Sequence, residues 1–177
     1  MLEGKNVNLR IREKEDLPLI AEWVNNPEFW GEFFSPLQRS ITKMEKAQDN
    51  NPFESEMFLI EKKDGSKIGF TFHFCMLHPM GKLLEMGFAL IPSERRKGYC
   101  TEAAKIMVDY LFLSKEIVCI QALTDVGNIA SQKVLENAGF KKEGVIRKRF
   151  FTRGEWRDIW FHSILREEWK EPKILKN

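Results

Sequence analysis

The sequence is poor in the residues and runs that would have placed it quickly. It has three cysteines, three histidines and two tyrosines in 177 residues, and its formal net charge is only +2. Cys75, Cys100 and Cys119 are an odd set without metal-type spacing, so free thiols are expected rather than a disulfide scaffold or a zinc site. His73, His78 and His162 share no spacing that suggests a metal either. No apolar run approaches the ~20 residues of a membrane helix, and Met1 to Lys5 lacks the apolar region of a signal peptide. A soluble, cytoplasmic protein that does not enter a membrane is expected. The small net charge gives no support to nucleic-acid binding unless local clusters supply it. Repeats and low-complexity tracts are missing, as are a Gly-Lys-Ser/Thr phosphate loop and a G-x-G-x-x-G turn after a first strand.

What is present describes one ordinary domain over residues 1–177. The chain is 43% hydrophobic and 31% charged, well mixed, and a domain of this length removes roughly 70% of its unfolded surface from water. Val7 to Arg12 alternates like a strand, and Glu15-Asp16-Leu17-Pro18 opens a helix. An aromatic-rich connection follows, with Phe29, Trp30, Phe33 and Phe34 among Asn, Pro, Gly and Ser, and then a polar helix near 41–49. Met57 to Glu61, the Asp64-Gly65 turn and Lys67 to Leu77 read as a hairpin. A turn at His78 to Lys82 leads to a third antiparallel strand, Leu83 to Leu90. Gly87 interrupts that strand and marks a bulge, a close backbone approach or a packing position.

After Pro92, the positions Ala103, Ile106, Met107, Tyr110 and Leu111 keep the spacing of an amphipathic helix. Ile117 to Leu123 is nearly all apolar, as in a strand covered on both faces, so strand, helix and strand imply a right-handed parallel crossover. Asn128 to Ala138 is a further helix with Asn128 as N-cap and Gly139 past its end. Two long strands, about Lys141 to Thr152 and Glu155 to Arg166, close the chain. The fold class expected is α/β with a mixed, mostly antiparallel sheet, one central parallel pair and helices on both faces.

The chemistry concentrates at Arg95-Arg96-Lys97-Gly98-Tyr99-Cys100-Thr101. Glycine just before a helix lets successive N–H groups point into one concavity, the helix dipole adds about half a positive charge, and three cations lie beside it. A diphosphate fits such a nest; a surface turn with solvated cations is the plainer alternative.

From Pro92 to Ala103 the chain resembles the coenzyme A pyrophosphate loop of the GNAT superfamily of N-acetyltransferases. Asn128-Ile129-Ala130-Ser131 with Val134 to Phe140 resembles that superfamily's next motif. Gly154-Glu155-Trp156-Arg157-Asp158 and Glu168-Trp169 are similar to its ribosomal-protein N-terminal acetyltransferase branch (RimJ/RimL-like). The resemblance implies transfer of an acetyl group from acetyl-CoA to a primary amine, such as a protein N-terminal α-amine, by direct attack in a ternary complex without a metal. A polyamine or antibiotic acceptor, and a coenzyme-binding module without turnover, are the alternatives.

Residue by residue, the resemblance implies that Arg95, Arg96, Lys97, Gly98, Tyr99, Cys100 and Thr101 cradle the pyrophosphate. The backbone of Phe88 and Leu90 would hold the pantetheine arm where two parallel strands diverge, with Gly87 at the expected bulge. Asn128 would reach the pantetheine as well as cap its helix, and Lys133 would meet a coenzyme phosphate or simply be solvated. Ser131 is the candidate donor to the leaving thiolate, with a second cap position as its alternative. Glu85 is the candidate base, acting through water unless it faces solvent. Phe29, Trp30 and Phe33 are expected in the acceptor wall, or in a second hydrophobic cluster. Cys100 departs from the usual glycine or alanine: its thiol is expected near the phosphates, where the dipole and three cations would lower its pKa. The basic and aromatic stretch Arg147 to Phe151, with Arg153, Trp156 and Arg157, alternates charge with apolar side chains and reads as one solvated face, so no nucleic-acid partner is expected. The final strands leave a monomer or a homodimer open.

Overall fold

Phe58, Leu59 and Ile60 are all buried, and since successive side chains of a strand point to opposite faces, both faces of that strand must be covered. The computed structural model, which describes residues 1–35, 38–49, 55–78 and 81–175, shows how. The strands are β1 (Leu2–Glu3), β2 (Val7–Ile11), β3 (Ser55–Lys62), β4 (Lys67–His78), β5 (Gly81–Leu90), β6 (Cys119–Asp125), β7 (Lys141–Thr152) and β8 (Glu155–Leu165). They form one sheet in the order β1-β2-β3-β4-β5-β6-β8-β7. Every neighbouring pair is antiparallel except β5 with β6.

The helices are α1 (Leu17–Asn25), α2 (Pro27–Trp30), α3 (Ile41–Asp49), α4 (Tyr99–Ser114), α5 (Ile129–Asn137) and α6 (Arg166–Trp169). Helix α4 covers one face, where Val7, Leu9, Phe58, Ile60, Leu84, Met86 and Ile120 meet Ala103, Ile106, Met107 and Leu111. On the other face Leu17, Ile20, Trp23 and Phe29 close over Leu59 and Phe70. No helix among the described residues is long and apolar enough to cross a membrane.

Two sheet features prepare the site. The β5–β6 ladder is confined to Leu84↔Ile120 and Glu85↔Gln121, so the strands part after Glu85. The expected bulge at Gly87 is not there: the β4–β5 register runs without a shift from Gly69↔Leu90 to His78↔Gly81. Gly87 is glycine because a Cβ would sit 2.5 Å from the Phe72 ring, which lies across it. The turn expected at His78 to Lys82 has its tip, residues 79 and 80, outside the described residues.

Strand β7 also departs from expectation. As the outer strand it is exposed along nearly its whole length, so its charges do not form one solvated face opposite a buried one. Its register slips between Ile146 and Phe150, where Lys148 adopts φ 49° and its N–H is held by Asp158 at 2.8 Å.

Candidate active site

Where β5 ends, Pro92–Glu94 makes a short turn and the chain enters α4 through two left-handed residues, Arg96 (φ 64°) and Gly98 (φ 85°). Gly98 is the N-cap and offers no side chain to the helix start, so the first-turn N–H groups at Tyr99, Cys100 and Thr101 lack helical acceptors. They follow the C-terminal end of β5, one side of the mouth left where β5 and β6 part. Helix α5 begins at the C-terminal end of β6, the other side of that mouth. Asn128 caps it, its Oδ1 accepting from the Ser131 N–H at 3.1 Å. The approach to α5 is fixed by Asp125, which takes a two-pronged ion pair from Arg157 (2.8 and 3.1 Å) and the Gly127 N–H at 2.7 Å. Gln132, buried, donates to the carbonyls of Asp125 and Val126.

The floor of the mouth carries Glu85. Opposed residues in a ladder share a face, so Glu85 lies beside Phe74 and Gln121, and Gly87 beside Phe72. Gln121 Nε2 donates to Glu85 Oε2 at 2.9 Å. Burial raises the Glu85 pKa above the ordinary carboxylate value, opposed by that hydrogen bond and by the charge of Arg149. Phe70, Phe72 and Phe74 form a row along β4, neighbouring rings 6.3 Å apart. The row runs from beneath α2 to Glu85. Phe33 reaches the α5 side, its ring within 3.1 Å of where a Cβ on Gly127 would stand.

Residues 6–141 match the acetyltransferase (GNAT) domain. The chain belongs to the GNAT acetyltransferase family. It is 28% identical to a probable N-acetyltransferase, YjcK, of Bacillus subtilis over 93% of this chain and 95% of that one. It is 25% identical to the spermidine N(1)-acetyltransferase of Escherichia coli K12, covering 94% and 92%. The fold is similar to that of a Vibrio cholerae spermidine N-acetyltransferase solved with CoA and spermine, with TM-score 0.80, 23% identity, and 94% and 99% of the two chains covered. The protein is therefore an acetyl-CoA-dependent N-acetyltransferase, which moves an acetyl group from acetyl-CoA to an amine.

The nest of this acetyltransferase is open, since a Cβ on Gly98 would meet nothing within 4 Å, and the first-turn N–H groups of α4 are left without helical acceptors there. Lys97 and Arg96 are exposed there, Lys97 resting 3.1 Å from Glu94. Phe88 lies on β5 past the point of divergence, half-buried against the α4 side. Lys133 is exposed on α5.

Four expectations change. Arg95 turns its guanidinium away from the nest, donating to the carbonyls of Leu90 (3.1 Å), Phe29 (2.6 Å) and Glu28 (3.4 Å). Leu90 accordingly has its carbonyl engaged and its side chain buried, which leaves Phe88 the freer of the two proposed pantetheine contacts. Phe29 is 3% exposed and stacks on Trp23 and against Phe70, so it is core rather than acceptor wall. Trp30, by contrast, is only half-buried, packed against Phe29 and Phe34 with its Nε1 donating to the Val24 carbonyl at 2.8 Å.

Cys100 is the fourth. Its side chain packs against the core under α4, and burial pushes its thiol up to about 12 despite the charge of Arg95. The sequence held the signal: Cys100 continues the stripe of Ala103, Ala104, Met107 and Leu111 at helical spacing. A thiol turned inward leaves the N–H concavity as open as alanine would.

Sequence reading missed Gln121, the aromatic row of β4, and Arg153, which holds the aromatic connection through the carbonyls of Phe34 (3.1 Å) and Gly31 (2.7 Å). Gln121 had a signal, as the single amide in an apolar strand that must find a partner when buried.

Proposed function

We propose that the enzyme acetylates a small primary amine by direct attack within a ternary complex, Glu85 taking the amine proton through water and Ser131 donating to the departing thiolate. The observation that carries this reading is the placement of a half-buried carboxylate, raised toward neutrality and braced by Gln121, on the floor of the mouth between β5 and β6. Tyr99, Cys100 and Thr101 would bind the pyrophosphate through backbone N–H groups, with Gly98 giving the turn and Arg96 and Lys97 the field. Phe88 and Asn128 would flank the pantetheine arm, and Lys133 a peripheral phosphate. Phe33, Trp30 and the row Phe70, Phe72 and Phe74 would line the acceptor.

Polyamines are the first acceptor class to try, because the spermidine acetyltransferases match nearly the whole chain. A peptide N-terminus is the second, favoured by the charge of Arg149 near Glu85. Arg149 would repel the further ammonium groups of a polyamine but tolerate a lone α-amine. The residues behind the ribosomal-branch resemblance have fold roles that do not choose between them. Arg157 pairs with Asp125 and Trp169 Nε1 donates to buried Asp109 at 2.8 Å. The test is release of free thiol from acetyl-CoA with spermidine, aminoglycosides and peptides bearing free N-termini. Turnover with none of them, alongside tight acetyl-CoA binding, would turn the reading to a coenzyme-binding module.

A further inference from the structure

Arg95 occupies a position the proposed chemistry does not use, yet its side chain ties the end of β5 to α2. It stands one residue before the left-handed Arg96 and three before Gly98, so its backbone belongs to the entry of the nest. Its guanidinium spans from the Leu90 carbonyl at the end of β5 to the Phe29 and Glu28 carbonyls at the end of α2. A planar fork with several donors can bridge carbonyls on two elements in this way, whereas an ammonium cannot hold both with the same geometry. The aromatic connection from 27 to 35 is pinned at its far side by Arg153 and by the Ser35–Thr152 hydroxyl pair at 2.9 Å. On its near side Arg95 is the tie that originates in the nest.

We propose that Arg95 is a positioning residue that couples coenzyme seating at the nest to the order of the acceptor connection 27–35, so that coenzyme and amine bind with positive cooperativity. The inference rests on the functional reading above, in which 27–35 lines the acceptor. Seating a diphosphate on the Tyr99 to Thr101 N–H groups fixes the backbone from which Arg95 projects. The fixed guanidinium then holds the Glu28 and Phe29 carbonyls, and with them Trp30 and Phe33. By linkage, an amine that orders the connection tightens coenzyme binding by the same factor.

The experiment is hydrogen exchange followed by mass spectrometry over 27–35, with and without saturating coenzyme A, in the wild type and Arg95→Lys. The amides of Phe29 and Gly31, which donate to the Asn26 and Pro27 carbonyls at 3.1 and 3.2 Å, report the order of α2. Coenzyme A should slow their exchange about threefold or more in the wild type. Arg95→Lys keeps the charge and should bind coenzyme A within about threefold of wild type, yet lose that protection. If Arg95→Lys fails to fold, Arg95→Gln, which can reach one carbonyl but not both, should give the same split. Equal protection in the variant, or no effect of coenzyme A on the wild-type segment, overturns the coupling. A loss of coenzyme affinity of about tenfold or more in the lysine variant would make Arg95 a phosphate ligand instead. Failure of the wild type to bind coenzyme A at all would be a different result, removing the functional reading and this inference together.

Discussion

Replacing Glu85 with glutamine changes one charge and almost no volume, and it moves activity and stability in opposite directions. The Gln121 amide holds Oε2 at 2.9 Å, and a glutamine at 85 can accept the same hydrogen bond through its carbonyl oxygen. What disappears is a proton acceptor on the floor of the mouth. The size of the loss follows from the amine. A lysine-type or polyamine nitrogen with pKa ~10.4 is neutral in about one molecule in a thousand near pH 7.4, so a base can contribute up to about three units, or about 4 kcal/mol. An α-amine with pKa ~8 is neutral in about one in five, and the same base then contributes less than about one unit. The variant should therefore lose about 100-fold or more in kcat/KM with a polyamine near neutral pH, but only several-fold with a peptide N-terminus. In both cases the deficit should shrink as pH approaches the amine's own pKa.

Stability responds with the other sign. Burial raises the Glu85 pKa in the folded protein above its value in the unfolded chain, so the folded state keeps the proton to higher pH. Stability then falls as pH rises through the interval between the two values, and an ionised Glu85 costs stability at neutral pH. Glu85→Gln removes that cost and should leave the Tm unchanged or raised, while the acid limb of the wild-type pH–rate profile lies above the ordinary carboxylate range. Thermal melts and pH profiles on the same two proteins make the check. A uniform fractional loss of rate at every pH would refute the base assignment, and a lowered Tm would show that the charge supports the fold.

Ser131→Ala should lower kcat about 10- to 100-fold with little change in coenzyme affinity, as expected of a hydrogen bond made in the transition state; calorimetric binding that weakens in step with the rate would make Ser131 a coenzyme contact only. Cys100→Ala should keep coenzyme affinity and turnover and cost about 1 kcal/mol of packing, and Cys100 in the folded wild type should resist iodoacetamide near neutral pH because its thiol lies at about 12. Labelling of Cys100 as fast as a free thiol would contradict the inward orientation. Asp16 is 2% exposed and bonded to Arg10 and Lys67 at 2.8 Å, which holds its pKa well below the usual carboxylate range. Asp16→Ala should cost about 3 kcal/mol or more by urea unfolding, and the wild-type contribution should be complete above the unfolded carboxylate value and fade as pH falls below it.

The parts of this molecule that were legible in its sequence are those decided by a few neighbouring residues. Gly98 and the helix pattern after it announced the nest, Asn128 its own cap, and the alternation in 57–61 and 67–77 the hairpin. What escaped was decided between segments distant in the chain. Phe29 is core because Trp23 and Phe70 close on it, and an aromatic-rich connection looks the same whether its rings face a ligand or a second hydrophobic cluster. Gly87 is a packing glycine because of a ring 15 residues earlier. Asp109 is buried because the N–H groups of Lys173, Ile174 and Leu175 fold back to it at 2.7 to 3.0 Å, a contact 64 to 66 residues apart that no local pattern announces. Arg95 is the sharpest case. Three successive cations before a nest are equivalent as charges, and their summed field favours an anion. A guanidinium is also a directional fork, and its direction was set by bare carbonyls at the end of α2 and β5, which only the fold brings within reach. Charge at a site can thus be counted from sequence, whereas the division of that charge between binding a ligand and holding the site together depends on where unsatisfied acceptors lie in space.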